Sequence, residues 1–291
     1  ARARQARPEL KHAMSIPCDP ERMEQLRSAK RLEGKGAGGG FAFELDLSTP
    51  ALAVAIHAGH NVRTELHPLM QIPEKDRLFE EDPATDRMIR GTANAIWGLD
   101  SRAEYDLNRT AGQAVPLTAE QFWGVQVYRK APTQDMVCRS LEKYDAFYLF
   151  IGSCIRILLE RFGFCVVYDI HSYNLSRQVE KGISNPPVFN LGTALLDRPR
   201  WGERIDAWLD ELGRIEVQGI RTTVEENRVF SGAGEFCRRL TGWDRNILVL
   251  PTEIAKVYMD ERTGALHEPL IDAIGRGLRR AIAAHTPPKV R

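Results

Sequence analysis

The sequence has no long hydrophobic run and no excess of one charge, and each absence excludes a class of protein. No apolar stretch approaches the roughly 20 residues that a membrane-spanning helix needs. The basic first residues lack the apolar core of a secretory signal, so we expect a cytoplasmic protein. A formal net charge of +1 removes any overall electrostatic argument for a nucleic-acid partner.

Cysteines are few, and their spacing matches no cysteine-based site. The five cysteines are scattered, odd in number and free of any Cys-x-x-Cys pair. This spacing argues against a disulfide framework and against a thiolate zinc site. Cys154 and Cys165 lie in apolar stretches and are expected in the core.

The composition of the chain changes near residue 40. Residues 1–40 are basic and polar, contain one short charged helical pattern, and end in the glycine-rich stretch GKGAGGG, which is typical of a flexible linker. We interpret this part as a leader without chemistry, the alternative being an arm that recognises a substrate or partner. Residues 41–291 are predicted to form a single domain.

From residue 41 onward, strand patterns alternate with helical patterns. Strands are predicted in FAFELDL, ALAVAIH, FCVVYDIHSYN, PVFNLGT, IEVQGI and NILVLPTEIA. Helices are predicted in PATDRMIRGTANAI, in the apolar stripe from Val137 to Leu158 that ends at Gly163, in WGERIDAWLDEL and in EPLIDAIGRGLRRAIAAH. We therefore predict one α/β domain with three α/β/α layers and a mixed, mostly parallel sheet.

Polar side chains end three of the predicted buried strands. They are His57, Asp169 with His171, and Glu253. In an open α/β sheet, ligands bind beyond the carboxyl ends of the strands, where the following loops converge, so we expect these residues to share one cleft. Two imidazoles and one carboxylate that leave a position for water form the ligand set of hydrolytic zinc sites.

The carboxylate ligand is expected near the first histidine. The stretch FEEDPATD offers Glu80, Glu81, Asp82 and Asp86. Asp82 is favoured because the turn into a helix at Pro83 would fix it against the sheet, and the alternative for Asp82 is a plain helix N-cap. His60 could replace it as a ligand, donate to the substrate, or simply be solvated. Asp169 could orient an imidazole through its second N–H or only hold a loop.

Glu253 is the candidate general base, because a carboxylate beside metal-bound water is suited to move its proton. The alternative is an ion pair between Glu253 and Lys256.

Arg109 in EYDLNR is the candidate clamp for a substrate carboxylate, with Asn108 alongside it, since a planar guanidinium binds a carboxylate through two parallel hydrogen bonds. A structural ion pair between Arg109 and Asp106 is the alternative.

Other polar residues near the predicted cleft are weaker candidates for substrate binding. They are His60 and Arg63 around the histidine bend, and Arg221 or Asn227 in IRTTVEENRVFSGAGEF. The glycines of that last stretch indicate a loop over the cleft.

Five stretches resemble, in their order and in their residue patterns, sequence blocks of the N-formylglutamate amidohydrolases. They are IHAGH, EEDPATDRMI, EYDLNR, YDIHSYN and VLPTEIAKVYMDE, and the resemblance covers residues 41 to about 285. It implies a fold similar to that of the zinc carboxypeptidases. It also implies one catalytic zinc held by His57, Asp82 and His171, with Glu253 as the base.

The sequence departs from the family pattern around the first of these ligands. Ile56 precedes His57 where the family has proline, Ala58 follows it where the family has serine, and His60 is additional. The substrate therefore need not be formylglutamate. The metal need not be zinc either, because Mn, Co or Fe could bind the same ligands.

Three functions remain open from the sequence. They are a zinc amidohydrolase acting on a small acylated amino acid, a metallopeptidase-like enzyme that trims or deacylates a peptide, and a non-catalytic binding protein of the same fold. The presence of every proposed ligand, base and clamp residue argues against the third. A closed pocket would favour the small acid and an open groove the peptide, while the oligomeric state stays open and no membrane partner is expected.

Overall fold

The computed structural model describes residues 16–28 and 30–286. In these residues an eight-stranded sheet forms the middle of the fold. Its strands are β1 (Leu32–Lys35), β2 (Phe41–Leu45), β3 (Ala51–Ala55), β4 (Asn94–Gly98), β5 (Cys165–Tyr173), β6 (Phe189–Leu191), β7 (Val224–Glu226) and β8 (Ile247–Ala255). The α-helices of the described residues are α1 (Pro20–Ser28), α2 (Glu74–Glu80), α3 (Thr85–Ile89), α4 (Ala111–Ala114), α5 (Gln134–Phe162), α6 (Leu175–Glu180), α7 (Arg198–Gly213), α8 (Glu235–Trp243) and α9 (Glu268–His285).

The strand order across the sheet is β1-β2-β4-β3-β5-β8-β6-β7. Four of the seven pairings are parallel: β3 with β4, β3 with β5, β5 with β8, and β6 with β7. The other three, β1 with β2, β2 with β4 and β6 with β8, are antiparallel. The predicted mixed, mostly parallel sheet is thus confirmed.

Side chains that alternate along the central strands build a core on each face of the sheet. On β5, Cys165 and Val167 pack with residues of α5 and α8, whereas Val166 and Tyr168 pack on the other face with residues of α7 and α9. The sheet is therefore covered by helices on both faces, as the three-layer prediction required. None of the helices in the described residues has the length and hydropathy of a membrane-spanning segment.

Two predicted elements are wrong. The helix expected over residues 83–96 ends at Ile89, and its second half is the buried strand β4, which pairs with both β2 and β3. Gly91, with a φ of +88°, lies between the two elements. The stretch IEVQGI forms only an isolated bridge between Val217 and Ile220, and the strand of this region is β7, inside the segment expected to be a loop.

The first two residues of the stretch predicted as a flexible linker, Gly34 and Lys35, are part of the sheet, and Ala37–Gly39 form a short 3-10 turn. β1 pairs with β2, and α1 packs on α5 with Met23 and Leu26 buried. The glycines serve close packing instead of flexibility: a Cβ on Gly36 would lie 1.9 Å from the Phe41 ring, and Gly38 has a φ of +74°. Residues 1–15 of the predicted leader lie outside the described residues.

Candidate active site

Three parallel strands deliver the polar residues to one end of the sheet. His57 follows the end of β3 by two residues, while His171 and Glu253 are register partners on the paired strands β5 and β8. Asp169 shares with His171 the face of β5 that carries Cys165, because side chains alternate along a strand. His57, Asp169 and His171 are at most 4% exposed. The polar residues at these strand ends therefore lie together, as expected from the sequence.

His57, Asp82 and His171 form what we call the donor cluster. His57 Nδ1 lies 3.1 Å from His171 Nδ1, and Asp82 Oδ2 lies 3.1 Å from His171 Nδ1 and 3.5 Å from His57 Nδ1. Metal bonds of 2.0–2.1 Å in a tetrahedral zinc site place ligand atoms about 3.3–3.4 Å apart. The three atoms thus have the spacing that a small divalent cation requires, and they are a possible metal-binding group.

The far nitrogen of each imidazole lies beside a carboxylate. His57 Nε2 is 2.8 Å from Asp106 Oδ1, and His171 Nε2 is 2.8 Å from Asp169 Oδ1. A carboxylate at this position favours a proton on Nε2 and leaves the lone pair of Nδ1 for a metal. The donor set therefore fits a divalent cation, because two imidazole nitrogens and one carboxylate oxygen converge on one point.

Ionisation within the donor cluster is strongly shifted. Burial alone would raise the pKa of Asp82, but hydrogen bonds from His171 and His57 outweigh it and hold that pKa far below its usual range. Burial alone would lower the pKa of His171, but the Asp169 and Asp82 carboxylates outweigh it and raise that pKa well above its usual value. In the metal-free protein a proton therefore stays on His171, in the place that a cation would take.

Asp82 is not the N-cap of a helix. Ala84, with a φ of 64°, is the N-cap of α3, and no side chain caps that helix. The Asp82 carbonyl oxygen accepts hydrogen bonds from Thr85 N (3.3 Å) and Thr85 Oγ1 (2.7 Å), and Asp82 N donates to His57 O (3.0 Å). The backbone of Asp82 thus makes the local contacts, which leaves its carboxylate free to enter the donor cluster.

Glu253 has no ion pair with Lys256. Lys256 Nζ instead donates to the Phe79 carbonyl oxygen at 2.7 Å, and burial lowers its pKa to about 8. Burial is also the largest cause that raises the pKa of Glu253 to about 8; His171 opposes this shift and the negative charge of Asp82 adds to it. A carboxyl group with a pKa near neutrality can both take up and release a proton.

A cavity of about 290 Å³ opens over the donor cluster and Glu253. Arg102, Asn108 and Arg109 line it, together with Trp123 and Phe230, which are both 38% exposed and lie at its rim. Asn108 Oδ1 accepts a hydrogen bond from Phe236 N at 3.0 Å. Arg109 Nε lies 4.0 Å from Asp106 Oδ2, so the alternative of a structural ion pair is present only as a long contact without a side-chain hydrogen bond.

Residues 230–234 line the cavity, as expected of the loop over the cleft, but the sequence did not single out Phe230, and it missed Arg102 and Trp123. Arg102 Nη2 donates to Asp106 Oδ2 at 2.7 Å, which makes Asp106 a bridge between Arg102 and His57. Arg102 and Asp106 lie outside any helix, so their four-residue spacing was no signal for this pair. The two aromatic residues lie in loops, where no periodic pattern marks a residue.

His60 and Arg63 do not line the cavity, contrary to the prediction that they bind substrate. His60 Nδ1 contacts Glu81, and its Nε2 lies 2.8 Å from Arg77 Nη2, so it is turned away from the donor cluster. Arg63 Nε donates to Glu104 Oε1 at 2.6 Å, an ion pair that holds its half-buried side chain away from the cavity.

The remaining alternatives for ligands and loop residues also lie elsewhere. Glu81 contacts Ser101 and His60 instead of entering the donor cluster. Arg221 is absent from the cavity wall, and Asn227 Nδ2 donates to Thr193 Oγ1 at 2.8 Å.

Comparison with known proteins supports the expected family. The chain is similar to the N-formylglutamate amidohydrolase from Ralstonia eutropha JMP134, with a TM-score of 0.67 and 17% identity over 84% of this chain and 96% of that one. It is also similar to a gene product from Agrobacterium tumefaciens, with a TM-score of 0.56 and 18% identity over 87% and 95% of the two chains. A metallo-carboxypeptidase from Burkholderia cenocepacia aligns with a TM-score of 0.37 and 16% identity over 92% and 69%. No curated protein sequence matches the chain significantly.

The sequence model of the N-formylglutamate amidohydrolase family matches residues 49–259. This range contains the donor cluster, Glu253 and Arg109, and it spans well over half of the chain. The protein therefore belongs to the N-formylglutamate amidohydrolase family, a family of amide hydrolases.

Proposed function

We propose that the protein hydrolyses the amide bond of a small N-acylated amino acid with the help of one divalent metal, zinc by preference, held by the donor cluster. The observation that carries the proposal is the convergence of two imidazole nitrogens and one carboxylate oxygen, 3.1–3.5 Å apart, at the base of a cavity. Family membership supports amide hydrolysis, and the donor cluster supports the metal.

A zinc ion at the donor cluster would supply a Lewis acid that lowers the pKa of a water toward about 7 and polarises the amide carbonyl. His57 is suited to hold it because a hydrogen bond with Asp106 orients its ring, and His171 because its Nε2 lies 2.8 Å from the Asp169 carboxylate. Asp82 contributes the negative charge of the ligand set. Other divalent transition metals fit the same nitrogen and oxygen donors.

Glu253 is assigned as the general base. It lines the cavity beside His171, takes the proton of the attacking water and passes it to the nitrogen of the leaving amine. The raised pKa of Glu253, caused mainly by burial, supports this assignment because the group can hold a proton between the two transfers. Because Lys256 Nζ donates to the Phe79 carbonyl oxygen, it forms no ion pair with the Glu253 carboxylate.

Arg109 is assigned to the carboxylate of the substrate. Its side chain is 39% exposed at the mouth of the cavity, and its contact with Asp106 is 4.0 Å long, so most of its donors stay free. Asn108 lies next to it, with its side-chain amide fixed by the N–H of Phe236. A fixed amide beside a free guanidinium is a suitable site for a carboxylate group.

The size of the cavity favours a small acid over a peptide. About 290 Å³ lies at the lower end of the roughly 300–1,000 Å³ range of small-molecule sites. This volume suits one acylated amino acid and is small for an extended peptide.

The proposal is tested by metal analysis and hydrolysis assays on the purified protein with N-formyl and N-acetyl amino acids and short peptides. We expect about one zinc per chain, loss of turnover with a chelator, and recovery when zinc is restored. Glu253→Gln is expected to retain the metal while kcat falls by about 10²–10⁴-fold, the usual contribution of a general base.

Leu149→Ala serves as the control variant, because Leu149 is an exposed residue of α5 outside the cavity. It should retain both metal and turnover. Turnover that a chelator leaves unchanged would refute the metal, and normal hydrolysis by Glu253→Gln would refute the assigned base.

A further inference from the structure

The charges that line the cavity determine which amino-acid side chain the site can accept. We propose that the site selects N-acyl amino acids with a neutral, apolar side chain over those with an acidic one, and that Trp123 and Phe230 form the surface on which that side chain packs. This inference rests on the proposed function, since it places an N-acyl amino acid in the same cavity.

Among the described residues, two permanent cations line the cavity, and one of them is already used by the protein. Arg102 donates from Nε and Nη2 to Asp106 Oδ2, at 3.2 and 2.7 Å, and from Nη1 to the Glu80 carbonyl oxygen at 3.3 Å. Arg102 is also buried, with 9% of its surface exposed. Its charge therefore balances Asp106 instead of a substrate group.

Arg109 is left as the cation that a substrate can reach. A single free guanidinium provides one bidentate site and thus accommodates one carboxylate. In an N-acyl amino acid this is the carboxylate next to the acylated nitrogen. A second carboxylate, such as the one on a glutamate side chain, finds no further free cation among the described residues of the wall.

The carboxyl groups of the wall offer a second carboxylate no attraction. Asp82, Asp169 and Glu253 are acidic and buried or nearly so. A zinc ion at the donor cluster would act on the scissile amide, and the Asp82 carboxylate would offset part of its charge. A carboxylate that enters this cavity without a partner would lose hydration without compensation.

The rim of the cavity offers apolar surface instead. Trp123 has a φ of 51°, in the left-handed region that bulky residues rarely adopt, and its ring lies against Arg102 (4.3 Å from Cζ to the ring centroid) and Arg109 (5.5 Å). The indole is thus held in place by two guanidinium groups while 38% of the residue stays exposed.

The loop that carries Phe230 is held by one buried side chain. Asn190 Nδ2 donates to the Phe230 carbonyl oxygen, and Asn190 Oδ1 accepts from Val229 N, both at 2.8 Å. Both aromatic residues of the rim are therefore positioned before a substrate binds. Preformed, exposed apolar surface next to a carboxylate site favours a side chain that gains by leaving water.

The deciding comparison uses N-formyl-L-glutamine and N-formyl-L-glutamate, which have nearly the same shape and differ by one charge. Their dissociation constants are measured by calorimetry on zinc-loaded Glu253→Gln, so that no hydrolysis interferes, and kcat/KM is measured on the unaltered enzyme. We expect the glutamine derivative to bind about tenfold or more tightly than the glutamate derivative, because the second carboxylate has no partner. N-formyl-L-phenylalanine is expected to bind more tightly than either.

Equal or tighter binding of the glutamate derivative would overturn the proposal, and so would the absence of binding by all three compounds. Preferred binding of the neutral compounds without any hydrolysis by the unaltered enzyme would support the selectivity and count against the proposed function alone. The two failures are therefore distinguishable.

The role of Trp123 is tested by its effect on side chains of different size. Trp123→Ala should weaken binding of N-formyl-L-phenylalanine about tenfold, leave N-formylglycine nearly unchanged, and be largely rescued by Trp123→Phe. The exposed Leu149 again provides the control, and Leu149→Ala should change neither constant. Equal losses for the glycine and phenylalanine compounds would show that Trp123 only supports Arg109, and would overturn its assignment to the side chain.

Discussion

At the scale of single residues, Asp106 determines which arginine is available to a substrate. Its Oδ1 lies beside His57 and its Oδ2 accepts from Arg102, so Arg109 makes only the 4.0 Å contact with it. One buried carboxylate thus orients a candidate ligand and leaves a neighbouring guanidinium free.

Arg109→Ala is therefore expected to raise KM for an N-acyl amino acid by about 10–100-fold with a smaller change in kcat, since hydrogen bonds to charged groups contribute about 1.5–3 kcal/mol. Steady-state kinetics measure both constants. Arg139→Ala, which removes an exposed arginine paired with Glu65 on the surface, should leave KM unchanged. An unchanged KM in Arg109→Ala would refute the assignment of the clamp.

Glu253 makes the stability of the metal-free protein depend on pH. Its pKa is about 8 in the folded protein, mainly because of burial, against an ordinary value of 4.5. The folded protein therefore holds this proton to higher pH than the unfolded chain does, and stability falls as the pH rises from about 4.5 to 8. Ionised Glu253 opposes folding at alkaline pH.

Glu253→Gln should accordingly raise the melting temperature of the chelator-treated protein by a few degrees at pH 8.5 and change it little at pH 5. Thermal unfolding followed by circular dichroism at both pH values measures the difference. A shift of the same size at both pH values would mean that the ionisation of Glu253 is not its cause.

At the scale of secondary-structure elements, the start of α8 positions the substrate end of the cavity. Its first residues approach Asn108 closely, because Phe236 N donates to Asn108 Oδ1 and a Cβ on Gly234 would lie 2.3 Å from the same oxygen. The absence of a side chain at residue 234 is what allows this approach.

Gly234→Ala is expected to displace the Asn108 amide and raise KM several-fold while the bound metal stays at its normal level. Kinetics and metal analysis of the same preparation separate the two effects. Gly202→Ala on α7 is the matched control, since nothing lies within 4 Å of its added Cβ, and KM should be unaffected. A Gly234→Ala enzyme with the KM of the unaltered enzyme would show that Asn108 does not contact substrate.

At the scale of the whole molecule, the fold assembles the donor cluster, and proton binding and metal binding compete there. Asp82 lies two residues after α2, His57 lies two residues after β3, and His171 lies on β5. The cluster therefore exists only when these parts are folded together. The pKa of His171 is raised in the metal-free state because Asp169 and Asp82 outweigh its burial. A metal that binds there must displace the proton.

Zinc binding at pH 7 should therefore release about one proton per chain. Calorimetric titrations in two buffers of different ionisation enthalpy measure the number released. Asp169→Asn removes a carboxylate that raises the pKa of His171 and should reduce the release. Zinc binding without proton release would contradict the protonation of His171.

Long-range contacts limited the prediction from sequence. PATDRMIRGTANAI has a helical pattern, but half of it is the strand β4, because pairing with β2 and β3 overrides local preference. His60 and Arg63 stand beside the strand end that carries His57, yet Glu81 and Glu104 bind them away from the cavity. Their partners are distant in the chain and no local pattern identifies them.

Most of the alternation of strands and helices could be predicted from the sequence, as could the end of the long helix at Gly163 and the strand ends that carry His57, His171 and Glu253. Burial leaves a periodic record in neighbouring residues. The folded structure was needed to show that Asp82 enters the donor cluster instead of capping α3, that Asp106 binds Arg102, and that aromatic residues form the rim. These depend on which side chains meet across the fold, and a contact between distant residues has no signature in the local sequence.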